Sequence, residues 1–257
     1  MSELAFTSRI DQLWQRFLTH DRMALSRLLT MLARGQGVDQ LTGLLDESDG
    51  DEAGPRVVAF TGSGGVGKST LVGKSIEYLR GQGDTVAVLA CDPESTLTGG
   101  ALLGDRVRMT PEDDDGVLVR SLAAPAGHQA IAEHLDLMTR LLARYGFNRL
   151  LIETVGAGQG DVAVRRWASV LVLLVQPEAG DDLQWEKAGL LEVADVVVVN
   201  KADLPGAERV EAQLREMLNL PGCRQVPVLR VTAAKAQGLA ELWSAIDALP
   251  DDTADRS

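Results

Sequence analysis

The residues with the plainest chemical purpose form one run, Gly62, Ser63, Gly64, Gly65, Val66, Gly67, Lys68 and Ser69. This is the spacing of a glycine-rich loop closed by a lysine and a hydroxyl residue. Such a loop turns successive backbone N–H groups inward, where they cradle phosphate oxygens. A helix starting at its end adds partial positive charge. Lys68 then reaches the β- and γ-phosphates of a nucleoside triphosphate, the Ser69 hydroxyl ligates Mg²⁺, and Thr70 lies near the α-phosphate. The apolar strand VVAFT leads in and a helical stretch leads out, as the motif requires. The lysine is expected in a solvent-facing loop, on a P-loop whose other reading is a flexible turn.

A second run, Asn200, Lys201, Ala202 and Asp203, follows the strand VVVVN. A carboxylate here can accept hydrogen bonds from guanine N1–H and N2–H₂, which adenine does not offer in that arrangement. Sites that read a ligand through buried hydrogen bonds discriminate by ~10⁴ or more, because the wrong ligand strands a polar group. The Lys201 stem can lie over the base. Thr232, Ala233 and Ala234, in the run ending at Lys235, follow the last strand and make a second wall for the base. The two runs together point to a guanine nucleotide.

Acidic residues at strand ends supply the rest of the expected site. Asp92 ends the second strand, Asp105 lies in the glycine-rich stretch after it, and Glu153 ends LLIET. Mg²⁺ prefers oxygen ligands and keeps several waters, so Ser69, Asp92, Asp105 and Glu153 are the candidate metal and catalytic acids, beside Lys68. Each acid also reads as a helix cap or solvated loop residue. Gly156 would let a backbone N–H approach the γ-phosphate. The loop around Gly99, Gly100, Gly104 and Asp105 suits an order–disorder switch held by γ-phosphate and Mg²⁺. Further on, Gln184 and Lys187 read equally as carriers of a nucleotide signal to a partner or as a helix-surface pair.

The elements that position these groups follow from periodicity. Apolar, β-branched runs at 56–61, 85–90, 117–120, 150–154, 170–175, 196–200 and 228–231 alternate with helical stretches at 69–80, 127–145, 182–193, 208–218 and 239–249. Several runs are apolar on both faces, as in a parallel sheet covered by helices. The alternation predicts an α/β fold, a P-loop NTPase with a mostly parallel doubly wound sheet. Before it, residues 7–34 have helical periodicity, ended by Gly35 and Gly37, and 39–45 suits another helix. The expected organisation is an N-terminal helical extension over 1–46, an acidic linker over 47–54, a nucleotide domain over 55–250 and a polar tail over 251–257.

Composition limits the function classes. The 257 residues are 45% hydrophobic and 24% charged, ordinary for a globular protein. With 25 basic and 37 acidic residues the net charge is −12, which argues against a nucleic-acid binder. No apolar run reaches the roughly 18 residues of a membrane span, and no signal segment is evident, so a cytoplasmic location is expected. Cys91 and Cys223 read as reduced thiols, and His20, His128 and His134 are scattered as surface or cap residues.

The segments DPESTLTGGALLGDRVRM, ETVGAGQGD, GDDLQWEKAGLLEVADVVVVNKAD and HDRMALSRLLTMLAR together resemble the MeaB/ArgK (MMAA) family. These are P-loop GTPases that serve adenosylcobalamin-dependent acyl-CoA mutases as chaperones. The resemblance implies GTP/GDP and Mg²⁺ as ligands, and adenosylcobalamin only through the partner mutase. It implies a switch that gates cofactor loading, protects the mutase and helps exchange damaged cofactor. Asp92 and Asp105 map to the first switch, residues 153–161 to the second, and Gln184 to Lys187 to the third. Departures are Ser63-Gly64 where a proline is usual, Glu94 where a serine is, Gly160-Asp161 where Ser-Glu is, and Trp185-Glu186. Family members continue into a C-terminal helical arm used for dimerisation, whereas this sequence stops soon after Leu249, so a homodimer stays open. No arginine finger is evident, Arg106 and Arg108 reading more simply as charged loop residues, so slow turnover, stimulated by the partner, is expected. Two other functions share the loop. A nickel metallochaperone GTPase should show paired metal ligands, and a P-loop small-molecule kinase more often uses ATP.

Overall fold

The computed structural model describes residues 3–47, 54–93, 115–124, 129–154, 164–177, 188–221 and 223–250. Helices α1 (Glu3–Leu18), α2 (Arg22–Ala33) and α3 (Val38–Asp46) come first. They are followed by β1 (Arg56–Thr61), α4 (Lys68–Gly81), β2 (Val86–Pro93), β3 (Val117–Ala124), α5 (Gln129–Tyr145) and β4 (Arg149–Glu153). Next come β5 (Val170–Val175), α6 (Ala188–Val193), β6 (Val196–Asn200), α7 (Ala207–Leu218), β7 (Val228–Val231) and α8 (Leu239–Asp247). The seven strands form one sheet in the order β3-β2-β4-β1-β5-β6-β7, and every pairing is parallel. The expected α/β fold is what the chain adopts. The first strand lies in the middle, so the loops leaving β1, β4, β5 and β6 all open along one edge, where open parallel sheets bind ligands.

Strand periodicity sorts the core into layers. Val58 and Phe60 of β1 face α4 and α8, packed with Leu71, Ile76, Leu242 and Trp243. Val57 and Ala59 face the other way, into a cluster with Leu141 and Leu142 of α5. On that same side Leu173, Val175, Val197 and Val199 pack with α6 and α7. Both faces are covered, which explains strands as apolar as VLVLLV.

The N-terminal helices belong to the α5 side. Ile10, Leu13, Phe17, Leu25, Leu28, Leu29, Leu32 and Leu41 are buried in the cluster that holds Leu141, Ile152 and Leu171. Trp14 and Phe17 stack at 4.9 Å, and Phe17 meets Tyr145 at 5.6 Å. Arg22 donates to the Val117 carbonyl at 2.5 Å, and Arg120 of β3 to the Thr30 hydroxyl at 2.8 Å. The helical periodicity read over 7–34 is divided between two helices. Residues between α1 and α2 turn, His20 adopts φ +58°, and Asp21 accepts from the Met23 and Ala24 N–H groups to start α2. The turn folds α1 back beside α2, so that α2 lies along α5 and α1 reaches Tyr145 through Phe17. Among the described residues, no helix is long and apolar enough to cross a membrane.

Candidate functional site

At the end of β1 the chain enters the glycine loop. Gly62 has φ +143°, and a Cβ there would lie 2.4 Å from the Leu174 carbonyl oxygen. Gly67 has φ +95°, and a Cβ there would lie 2.5 Å from Asn200 Nδ2. Only glycine fits two such positions. Between them Val66 is buried in the core and pins the loop from below. Lys68, the first residue of α4, is not solvent-facing as expected: it is 7% exposed. Its Nζ folds back under the loop and donates to the carbonyls of Gly62 at 2.8 Å and Ser63 at 3.2 Å. A buried ammonium needs acceptors, and the loop turns two carbonyls toward it. Ser69 and Thr70, on the first turn of α4, and the loop residues Gly64 and Gly65 are exposed.

Parallel pairing of β1 with β4, Phe60 opposite Glu153, brings the second strand end to this loop. The Ser69 hydroxyl donates to Glu153 Oε1, although 84 residues separate them. A hydroxyl and a carboxylate oxygen in contact beside a phosphate loop are the donor types Mg²⁺ takes, so these two residues fit that ion. Close by, the hydroxyls of Thr61 and Thr154 are buried without a hydrogen-bond partner. Thr154 N–H donates to the Phe60 carbonyl at 3.1 Å, which sets the two threonines next to each other. Sequence reading passed over both, because a threonine at a strand end carries no motif. Asp92 is the penultimate residue of β2. Its side chain lies outside the described residues, as do Asp105, Gly156, Gln184 and Lys187.

The base-side run converges on the same loop. Asn200 is buried, with Nδ2 donating to the Val66 carbonyl at 2.8 Å and Oδ1 accepting from Ala233 N–H at 3.2 Å. One amide therefore ties the phosphate loop to the loop after β7. Thr232 and Ala233 are buried there, and Ala234 is exposed. Lys201, at φ +55°, directs Nζ to the Gly65 carbonyl at 2.9 Å and to Gln176 Oε1 at 2.7 Å. Asp203 is paired with Lys235 at 2.9 Å. The Lys235 hydrogen bond holds the Asp203 carboxyl below the usual carboxylate range, against the opposing effect of desolvation. A carboxylate that stays ionised is the form that accepts hydrogen bonds. Gln176 and the pairing of Lys235 escaped the sequence reading, since both contacts exist only once β5, β6 and β7 lie side by side.

Residues 25–254 match the family described as methylmalonyl-CoA mutase-associated GTPase MeaB. The chain belongs to that family. A Pyrococcus abyssi protein that carries the name of a GTPase is 37% identical over 244 residues, 92% of this chain and 75% of its own length. A Nocardia farcinica protein named fused isobutyryl-CoA mutase is 36% identical over 227 residues, 85% of this chain but only 21% of that protein. The crystal structure of a LAO/AO transport system kinase superposes with a TM-score of 0.70 at 23% identity, over 96% of this chain and 75% of that one. That likeness shows the fold alone. Membership in the MeaB GTPase family implies guanine-nucleotide binding.

Proposed function

We propose that this protein binds and hydrolyses GTP, and that its nucleotide state gates cofactor loading onto an adenosylcobalamin-dependent acyl-CoA mutase and protects or reactivates that enzyme. One observation carries the reading: a MeaB-family chain is 36% identical to part of a single protein named as a fused mutase. A segment joined covalently to a mutase in one organism is a natural candidate to meet a separate mutase in another.

Within this reading the backbone N–H groups of the loop and Lys68 hold the β- and γ-phosphates. Lys68 moves its ammonium from the carbonyls of Gly62 and Ser63 toward the phosphate oxygens as the nucleotide arrives. Ser69 and Glu153 would hold Mg²⁺, with Asp92 and Asp105 as further acids or water ligands, and the ion would neutralise charge on the transferred phosphoryl group. Catalysis is then mostly positioning and electrostatic stabilisation while water attacks in line. Asp203 accepts from the guanine edge, Lys201 lies along the base, and Thr232, Ala233 and Ala234 wall it. Gly156 follows the γ-phosphate, and Gln184 and Lys187 pass the state to the partner. The partner supplies or orders the groups that make hydrolysis fast.

The test is capture from native cell extract with the tagged chain loaded with GDP or with a non-hydrolysable GTP analogue, followed by mass spectrometry and by GTPase assays with the captured enzyme. Nucleotide-dependent recovery of a cobalamin mutase that accelerates hydrolysis is expected. Recovery of no mutase in either state, or a mutase without effect on turnover, overturns the chaperone reading and leaves a guanine-nucleotide hydrolase.

A further inference from the structure

We infer that Gln176 is a positioning residue of the nucleotide site: it holds Lys201 at the base and thereby sets how long a guanine nucleotide stays bound. The inference rests on the guanine reading of Asn200 to Asp203 and adds a residue to it.

Strand register places the two residues together. Val175 of β5 stands opposite Val199 of β6, so Gln176 emerges abreast of Asn200, one step before Lys201. The Lys201 backbone is left-handed at φ +55°, a conformation that costs a residue with a Cβ free energy and persists where its surroundings hold it. That turn carries the side chain back across the phosphate loop. Its ammonium then meets the Gly65 carbonyl on one side and Gln176 Oε1 on the other. The Gly65 carbonyl belongs to the loop that grips phosphate. Gln176 directly follows β5, and its amide does not depend on that loop.

The amide is itself well anchored. Pro177 follows it, and a residue before proline is confined to extended backbone. Pro177 in turn packs at the start of α7, its Cβ 3.7 Å from where a Gly206 side chain would begin. Gln176 is half-buried and presents a neutral oxygen to a cation, which accepts the hydrogen bond without competing for Lys201 as a salt bridge would. A lysine has a long stem with much rotamer freedom to lose. Fixing its far end in the free protein removes that loss from the binding step, which lengthens residence.

The experiment measures dissociation of N-methylanthraniloyl-GDP from the full chain by stopped-flow fluorescence, for the parent protein, Gln176→Leu, Gln176→Glu, Lys201→Ala and the Gln176→Leu/Lys201→Ala pair. Gln176→Leu should release the probe roughly tenfold faster, the order of the rotamer freedom that a lysine regains when its far end is freed. Gln176→Glu keeps an oxygen acceptor and should release it no faster than the parent. In the Lys201→Ala background the leucine change should add less than about twofold, because coupled residues are non-additive. The nucleotide-free Gln176→Leu protein should keep the parent's far-ultraviolet circular dichroism and a single cooperative thermal transition, which separates positioning from loss of the fold. An off-rate unchanged by Gln176→Leu, or an undiminished effect without Lys201, overturns the inference while the guanine site stands. A parent chain that retains no GDP probe overturns the guanine reading itself, and this inference with it.

Discussion

Lys68 illustrates how a single residue can serve folding and chemistry at once. Its ammonium is nearly enclosed and satisfied by two loop carbonyls, so the loop is held in shape before any phosphate arrives. Replacing it by alanine removes both that support and a cation aimed at developing negative charge. By analogy with the loss of one stabilising donor elsewhere, Lys68→Ala should slow single-turnover GTP hydrolysis on the order of 10²–10³-fold, with the far-ultraviolet circular dichroism preserved. Unchanged turnover would remove the phosphate loop from the mechanism. Asp203 makes a different prediction. Exchanging its acceptor oxygen for a donor in Asp203→Asn should turn preference from GTP toward xanthosine triphosphate, measured by competition for the site. A variant that still prefers GTP would mean that another group reads the base.

At the scale of elements, the turn between α1 and α2 matters most. The apolar pattern keeps its phase on either side of the polar run Thr19-His20-Asp21-Arg22, so periodicity alone reads one helical stretch. What stops the rod is local. Asp21 accepts from Met23 and Ala24 N–H groups, Arg16 closes on its other oxygen at 2.6 Å, and His20 takes a left-handed φ with its carbonyl held by Tyr145 Oη. The Ala24 N–H, and after it Arg16, hold the Asp21 carboxyl below its ordinary value. A group depressed in this way stabilises the fold above its unfolded pKa, and the contribution disappears as pH falls through the lower folded value. Asp21→Ala should therefore lower the thermal midpoint at pH 7, and the difference from the parent should shrink once the medium is more acidic than the native pKa of Asp21. A gap that is constant from neutral to strongly acidic pH would show that the cap is not the cause.

For the molecule as a whole, the N-terminal helices share a core with α5 and the sheet. Leu28 and Leu29 are fully buried in the cluster that includes Leu141 and Ile152. Truncating a leucine at such a position costs roughly 2–5 kcal/mol, through lost transfer energy and the cavity left behind. Leu28→Ala should thus lower the unfolding free energy of the entire chain by that amount in one cooperative urea transition. A separate early transition for the helices, with the nucleotide domain unaffected, would show that the shared core does not couple them. Coupling would also bring the helices within reach of the site: α2 contacts β3 through Arg22 and Thr30, and β3 pairs with the β2 strand that carries Asp92.

Much was determined by the sequence alone. The Gly62–Ser69 and Asn200–Asp203 runs, the alternation of strands with helices and the long family segments are all local in the chain, and local patterns are set by backbone conformation and side-chain period. Strands such as VLVLLV and VVVVN announce burial on both faces, and the parallel sheet follows from that. Tertiary structure alone decided the rest. Ser69 meets Glu153 across 84 residues, Asn200 meets Val66 across 134 and Lys201 meets Gln176 across 25. No spacing rule links these pairs, because strand order and register bring them together, and those depend on how the whole core packs. The burial of Lys68 has the same origin: it trades a solvent-facing position for contacts that only the folded molecule provides.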